Sequence, residues 1–152
     1  MTDSCRGSKL RQGRHCETGR IYLLTSVTQN REPIFSDWTL GRLLASEFRK
    51  AQDQELANSL AWVVMPDHFH WLIELKSSDL GMLMRRVKSG SALAITRAKN
   101  QQFKLWQKGY HDRAIRQESE IIQAARYIIA NPIRAGLVKR YGDYPLWDAV
   151  WL

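Results

Sequence analysis

The sequence predicts an α+β fold, a ferredoxin-like split β-α-β antiparallel sheet with its helices packed on one face. Three observations lead there. Strand-like and helix-like segments alternate in the order β-α-β-β-α-β-α, which is the order of that fold. Two apolar runs, Leu60–Met65 and His68–Leu75, are separated only by the turn pair Pro66-Asp67, so they read as a hairpin. Helix-spaced apolar stripes begin directly after Ser or Asp residues suited to capping. The 152 residues are 44% apolar and include six Trp and five Tyr, enough for one domain to bury a core.

Each element has its own justification. Residues 1–19 are rich in Gly, Ser, Lys and Arg and are expected to form a loose basic segment, leaving 20–152 as a single domain. Ile21–Thr28 is β-branched and apolar, the signature of a first strand. Ser36 or Asp37 heads a helix with Leu40, Leu43, Leu44 and Phe48 on one side, ending near Gln54. The hairpin follows. Ser78 or Asp79 then caps a long helix carrying Leu80, Leu83, Met84, Val87 and Ile95, with a kink or break expected at Gly90. Phe103–Gln107 is the expected fourth strand, with Tyr110–Arg116 following as a strand or ordered loop. Ser119 is the expected cap of the last helix, which Pro132 ends.

Charge narrows the partner class. The 23 Lys and Arg exceed the 15 Asp and Glu, giving a net charge of +8. A polyanion fits that excess, and nucleic acid is the usual one. Cys5 and Cys16 make neither a disulfide framework nor a zinc spacing. The N-terminus has no apolar core of a secretory signal, and no apolar run approaches the roughly 20 residues of a membrane span. A cytoplasmic, nucleoid-associated location is therefore expected.

His68-Phe69-His70 opens the return strand of the hairpin. Alternate strand residues share a face, so the two imidazoles lie on one side about 6.6 Å apart along the strand. There they can hold one metal ion, or they are two partly buried structural histidines. Phe69, Trp71, Ile73 and Leu75 point the other way, into a core. In the last helix Ile121, Ile122, Ala125, Ile128 and Ile129 fall within an arc about 120° wide, and Tyr127 stands roughly 160° from its middle. Asn131, one turn later, shares the side of Tyr127, as do Glu120 and Gln123. Tyr127 is then either a surface aromatic resting on the tail or a nucleophile lining a polar cleft.

Together these residues resemble a known family. Met65-Pro66-Asp67-His68-Phe69-His70 is similar to the His-hydrophobic-His motif of the HUH single-strand DNA endonucleases and transposases. Tyr127-Ile128-Ile129-Ala130-Asn131-Pro132 followed by Ala135-Gly136-Leu137-Val138 resembles the tyrosine helix of the REP-associated tyrosine transposases, an insertion-sequence-200-like branch. Gly109–Arg116 and Val27–Phe35 resemble flanking segments of the same proteins, so the likeness runs from about residue 20 to the C-terminus. It implies His68 and His70 as ligands of a divalent metal, Mg²⁺ or Mn²⁺, and Tyr127 as the catalytic nucleophile. Asn131 stands where insertion-sequence relatives carry a Gln as third ligand, and its reach is one methylene shorter. The implied reaction cuts and rejoins single-stranded or hairpin DNA of repeated extragenic palindromes through a 5′-phosphotyrosine link. Imidazole ligands favour Mn²⁺ over Mg²⁺, which prefers oxygen.

Arg85, Arg86, Lys88, Arg113, Arg116 and Arg134 are the candidate DNA contacts. A monomer is expected, although insertion-sequence relatives exchange their tyrosine helices in dimers. Other readings compete with this one. An RNA-recognition module shares the strand order but would need a basic-Gly-aromatic signature that this chain lacks. A two-histidine phosphoesterase needs a second His-x-Ser/Thr, and neither His15 nor His111 begins one. A relative that binds DNA hairpins without cutting them has no distinguishing sequence feature.

Overall fold

The computed structural model describes residues 19–77 and 79–150. The basic N-terminal segment with Cys5 and Cys16, the alternative cap Ser78, and Trp151 lie outside the described residues. Strands β1 (Ile21–Val27), β2 (Ala57–Met65), β3 (His68–Leu75), β4 (His111–Ile115) and β5 (Trp147–Ala149) form one sheet. Its order is β4-β1-β3-β2-β5, and every pairing is antiparallel. Helices α1 (Trp38–Asp53), α2 (Leu80–Lys99) and α3 (Glu118–Arg134) complete the expected α+β architecture.

The hairpin is as read from the sequence. Met65 pairs with His68 across Pro66-Asp67, which places the first histidine at the turn. Asp37 caps α1 by accepting from the Thr39 N–H at 3.0 Å, and Asp79 caps α2 by accepting from the Met82 N–H at 3.0 Å. Helix α2 runs unbroken through Gly90. The glycine is there for closeness: a Cβ at Gly90 would collide with the buried Glu47 carboxylate of α1.

The layering differs from expectation. On β3, Phe69 and Trp71 face α1, where the Phe48 ring stacks on Trp71 at 4.5 Å and meets Phe69 edge-on at 5.1 Å. Trp106 packs on the same face, edge-on to Phe69, and donates its indole N–H to Ser91 of α2 at 3.0 Å. His70 points oppositely, and there it meets Tyr127 of α3. So α1 and α2 cover one face and α3 crosses the other, instead of all helices sharing a face. The sheet centre is correspondingly dry on both sides: Trp71, Leu72 and Ile73 are consecutive and fully buried.

Three element boundaries are also corrected. The fourth strand is His111–Ile115, paired to β1, whereas Phe103–Gln107 contributes only an isolated bridge between Trp106 and Thr28. Burying Trp106 and Leu105 against the core takes precedence there over extending the sheet. Helix α3 begins one residue before Ser119, and the Gln117 N–H is received by Glu120 at 3.4 Å. It also continues through Pro132 to Arg134. Beyond the proline the helix ends in a Schellman closure: Gly136, at φ 76°, donates to Ile133 at 3.0 Å and Leu137 donates to Pro132 at 2.9 Å. Described through Val150, the C-terminal tail lies at the β2 edge of the sheet. It adds β5 beside β2, held by the Tyr144 hydroxyl donating to the Val64 carbonyl at 2.6 Å.

Candidate active site

His70 and His68 sit side by side on the α3 face of β3, ring centroids 5.0 Å apart. Register places Thr25 of β1 beside His70 and His111 of β4 beside Thr25, one row of side chains across three strands. The Thr25 hydroxyl lies 2.8 Å from His70 Nδ1, and Asp67 Oδ1 lies 2.7 Å from His68 Nδ1. A carboxylate only accepts, so His68 carries its proton on Nδ1. Both rings thus have Nδ1 engaged and Nε2 left for a ligand, the arrangement that outer partners impose on metal-binding histidines.

Electrostatics support the same use. Burial pushes His70 down to about 4, and the neighbouring His68 and Arg134 charges add to the shift. His70 is neutral at physiological pH, with its lone pair available. Burial raises Asp67, but the hydrogen bond to His68 and the charges of His68 and Arg31 outweigh it, so its carboxyl lies below the usual range.

Tyr127 stands over the pair, its ring 5.5 Å from that of His70. It is 47% exposed, so the phenol is reachable from solvent. The Arg134 guanidinium lies 4.0 Å from the Tyr127 ring centroid and donates to the Tyr127 carbonyl at 3.1 Å, holding the ring from its other side. The helix is turned relative to the expected arc. Its buried stripe is Ala124, Ala125, Ile128, Asn131 and Pro132, whereas Ile122 is 40% exposed. That stripe is rotated by roughly 60° toward Tyr127, placing the tyrosine on the flank of the interface. Asn131 is buried in the stripe, and its Nδ2 has no hydrogen-bond partner. The Nδ2 is a donor and cannot bind a cation; the Oδ1 of the same amide is the atom with a lone pair to offer. The residues therefore fit a divalent ion: two oriented imidazoles and an amide. Among the described residues no cluster of three or more His, Cys, Asp or Glu is placed to hold a metal ion, the surroundings of His68 and His70 included.

A cleft of about 480 Å³ opens beside Tyr127 and His70, floored by Leu23, Thr25 and Ala124 and walled by His111, Arg113 and Gln123. Its size is that of a small-ligand site. Of the candidate DNA contacts, Arg113 lines this cleft and Arg134 touches Tyr127. Arg85 and Arg86 are exposed on α2 across the sheet, and Arg86 donates to Gln54 at 3.0 Å. Lys88 donates to the carbonyls of Gln107 at 2.9 Å and Gly109 at 2.5 Å, tying down the loop that enters β4. Arg116 is exposed just past β4. Thr25, Asp67 and Arg31 were missed as site residues. The period of β1 could have found Thr25; the Arg31 contact leaves no sequence signal.

With this geometry in view, the comparisons are specific. The family model for IS200-like transposases matches residues 18–131, a span holding both histidines, Tyr127 and Asn131. The chain belongs to the IS200-like transposase family. Within that family it is 32% identical over 87 residues to the REP-associated tyrosine transposase of Escherichia coli, covering 56% of this chain and 50% of that protein. It thus spans about half the length of that relative. A Haemophilus influenzae relative is 25% identical over 143 residues, covering 84% of this chain and 78% of its own. The fold is that of the REP-associated tyrosine transposase solved bound to a REP hairpin, with TM-score 0.74 at 23% identity over 97% of this chain and 82% of that one.

Proposed function

We propose that this IS200-like family member is a divalent-metal-dependent endonuclease and strand transferase acting on single-stranded hairpin DNA through Tyr127. The observation that carries the reading is the 5.5 Å approach of the Tyr127 ring to His70 on the face it shares with His68. His68, His70 and Asn131 would hold the ion, Mn²⁺ or Mg²⁺, which would polarise a phosphate oxygen and offset charge developing on it. The Tyr127 oxygen attacks the phosphorus in line, losing its proton, and the bond from phosphorus to the 3′ oxygen breaks. The strand keeps a 5′-phosphotyrosine link and a 3′-hydroxyl that takes up a proton. Reversal by the same or another 3′-hydroxyl rejoins DNA without water. Arg134 steadies the Tyr127 ring through this exchange, and Arg113 borders the cleft where an adjacent nucleotide lies. The REP hairpin bound by the solved relative supports a hairpin of that kind as substrate. Among the described residues no helix is long and apolar enough to cross a membrane.

The test incubates the protein with labelled hairpin single strands and Mn²⁺ or Mg²⁺. A denaturant-resistant protein–DNA adduct is expected, and Tyr127→Phe abolishes it while hairpin binding persists. Binding without an adduct across a panel of hairpins would instead make the protein a non-catalytic hairpin binder.

A further inference from the structure

The segment Thr28–Phe35 is not used by the chemistry above, yet it wraps the turn that precedes the histidines. The Thr28 N–H donates to the Asp67 carbonyl at 2.9 Å, and the Phe35 N–H donates to the Pro66 carbonyl at 2.9 Å. The Thr28 hydroxyl reaches the Glu32 and Asp67 carbonyls at 2.8 and 3.2 Å. Thr28 and Phe35 are fully buried, so both ends of the wrap are fixed. Between them Asn30 and Arg31 adopt left-handed φ values of 57° and 52°. Asparagine does this readily; for arginine it is unusual and marks a conformation held by its surroundings. What it accomplishes is visible in the side chain. Arg31 Nε meets Asp67 Oδ2 at 3.0 Å, while Asp67 Oδ1 receives His68 Nδ1 at 2.7 Å. Each carboxylate oxygen has one partner, so the carboxylate is fixed from both sides.

We propose that Arg31 is a positioning residue for the metal site, acting through Asp67 to hold His68 with Nε2 turned to the ion; the inference rests on the reading of His68 and His70 as ligands. A carboxylate that receives the Nδ1 proton fixes the ring's tautomer and raises the basicity of Nε2, and losing such an outer partner typically costs about 10- to 100-fold in metal affinity. An arginine beside the carboxylate stops it from rotating away. The Arg31 side chain is 61% exposed, so solvent screens its pair with Asp67 and its effect is smaller than that of Asp67 itself.

The experiment measures Mn²⁺ binding to the full chain without DNA, following free Mn²⁺ by electron paramagnetic resonance. The His68 Nδ1 proton is followed in parallel by nitrogen-resolved NMR. Wild type, Asp67→Ala, Asp67→Asn, Arg31→Gly and Arg31→Lys are compared. Glycine at 31 suits the left-handed backbone, so this variant removes the guanidinium without adding strain. Asp67→Ala is expected to weaken Mn²⁺ binding by about 10- to 100-fold. Arg31→Gly is expected to weaken it roughly threefold, Asp67→Asn to fall between, and Arg31→Lys to restore part of the loss. The His68 proton signal should vanish in Asp67→Ala and broaden in Arg31→Gly, with His70 unchanged. If Arg31→Gly leaves Mn²⁺ affinity and the His68 signal intact but weakens hairpin binding, Arg31 is a phosphate contact and the proposal is wrong. If His68→Ala binds Mn²⁺ as wild type does, the ligand reading falls, and this inference with it.

Discussion

Asn131 separates the needs of folding from those of chemistry at the residue scale. Its buried Nδ2 makes no hydrogen bond, so truncating it forfeits packing but no bond from that nitrogen. Asn131→Ala should therefore leave urea-unfolding stability within about 1 kcal/mol of wild type, while Mn²⁺ affinity and adduct formation fall at least tenfold. A loss of stability without a change in Mn²⁺ affinity would make Asn131 structural. The arginines divide just as sharply. Arg113 borders the cleft beside Tyr127, whereas Arg85 lies on the far side of the sheet. Arg113→Ala is expected to weaken hairpin binding roughly tenfold, as the loss of a charge-assisted hydrogen bond can, and Arg85→Ala by less than twofold in fluorescence anisotropy titrations. At this scale the sequence displayed His68, His70 and Tyr127 openly, because strand alternation and helical period are local. The partners Arg31 and Thr25 come from other elements, and no period of β3 announces them.

At the scale of elements, the close α1–α2 crossing makes a measurable pair. Alanine normally stabilises a helix interior over glycine by about 1 kcal/mol. At Gly90 the added Cβ must displace the Glu47 carboxylate, which is buried and paired with Lys50 at 3.1 Å. Gly90→Ala should thus destabilise the wild-type background and stabilise the Glu47→Ala background, read as a double-mutant cycle in urea; additivity would refute the contact. The tail strand has a pH signature of its own. Burial pushes the Tyr144 hydroxyl up to about 12. The unfolded chain releases that proton near pH 10, so its contribution to stability is intact below pH 10 and is lost as pH rises from 10 towards 12. Tyr144→Phe should lose about 1 kcal/mol at pH 8 with the Val64 bond, and show a smaller further loss than wild type between pH 9 and 11. The hairpin and the caps of α1 and α2 were legible because each is a short-range signal, whereas the Ser119 cap and the break at Gly90 were not borne out. The layer occupied by α3 was not: a helix's apolar stripe says that it packs, and not on which face of a sheet. Apolar Ile122 and Ile129 also pulled the expected stripe away from Tyr127, whereas small Ala124 lies at the actual contact.

For the molecule as a whole, the net charge of +8 makes affinity for DNA strongly salt-dependent. With about four phosphate contacts to a single strand, raising salt from 50 to 200 mM should weaken hairpin binding roughly 50-fold. A flat response would point to recognition without backbone contacts.

Only Arg116 and Gln117 separate β4 from α3, and across that short link Tyr127 meets the His70 of its own chain. On the proposed function, the nucleophile and the histidines of one active site come from one polypeptide, and the reaction order tests this. At saturating hairpin, adduct formation should be first order in protein, with a rate per protein molecule that dilution leaves unchanged. Mixing Tyr127→Phe with His70→Ala should restore nothing, since neither defective copy can lend its intact group to the other.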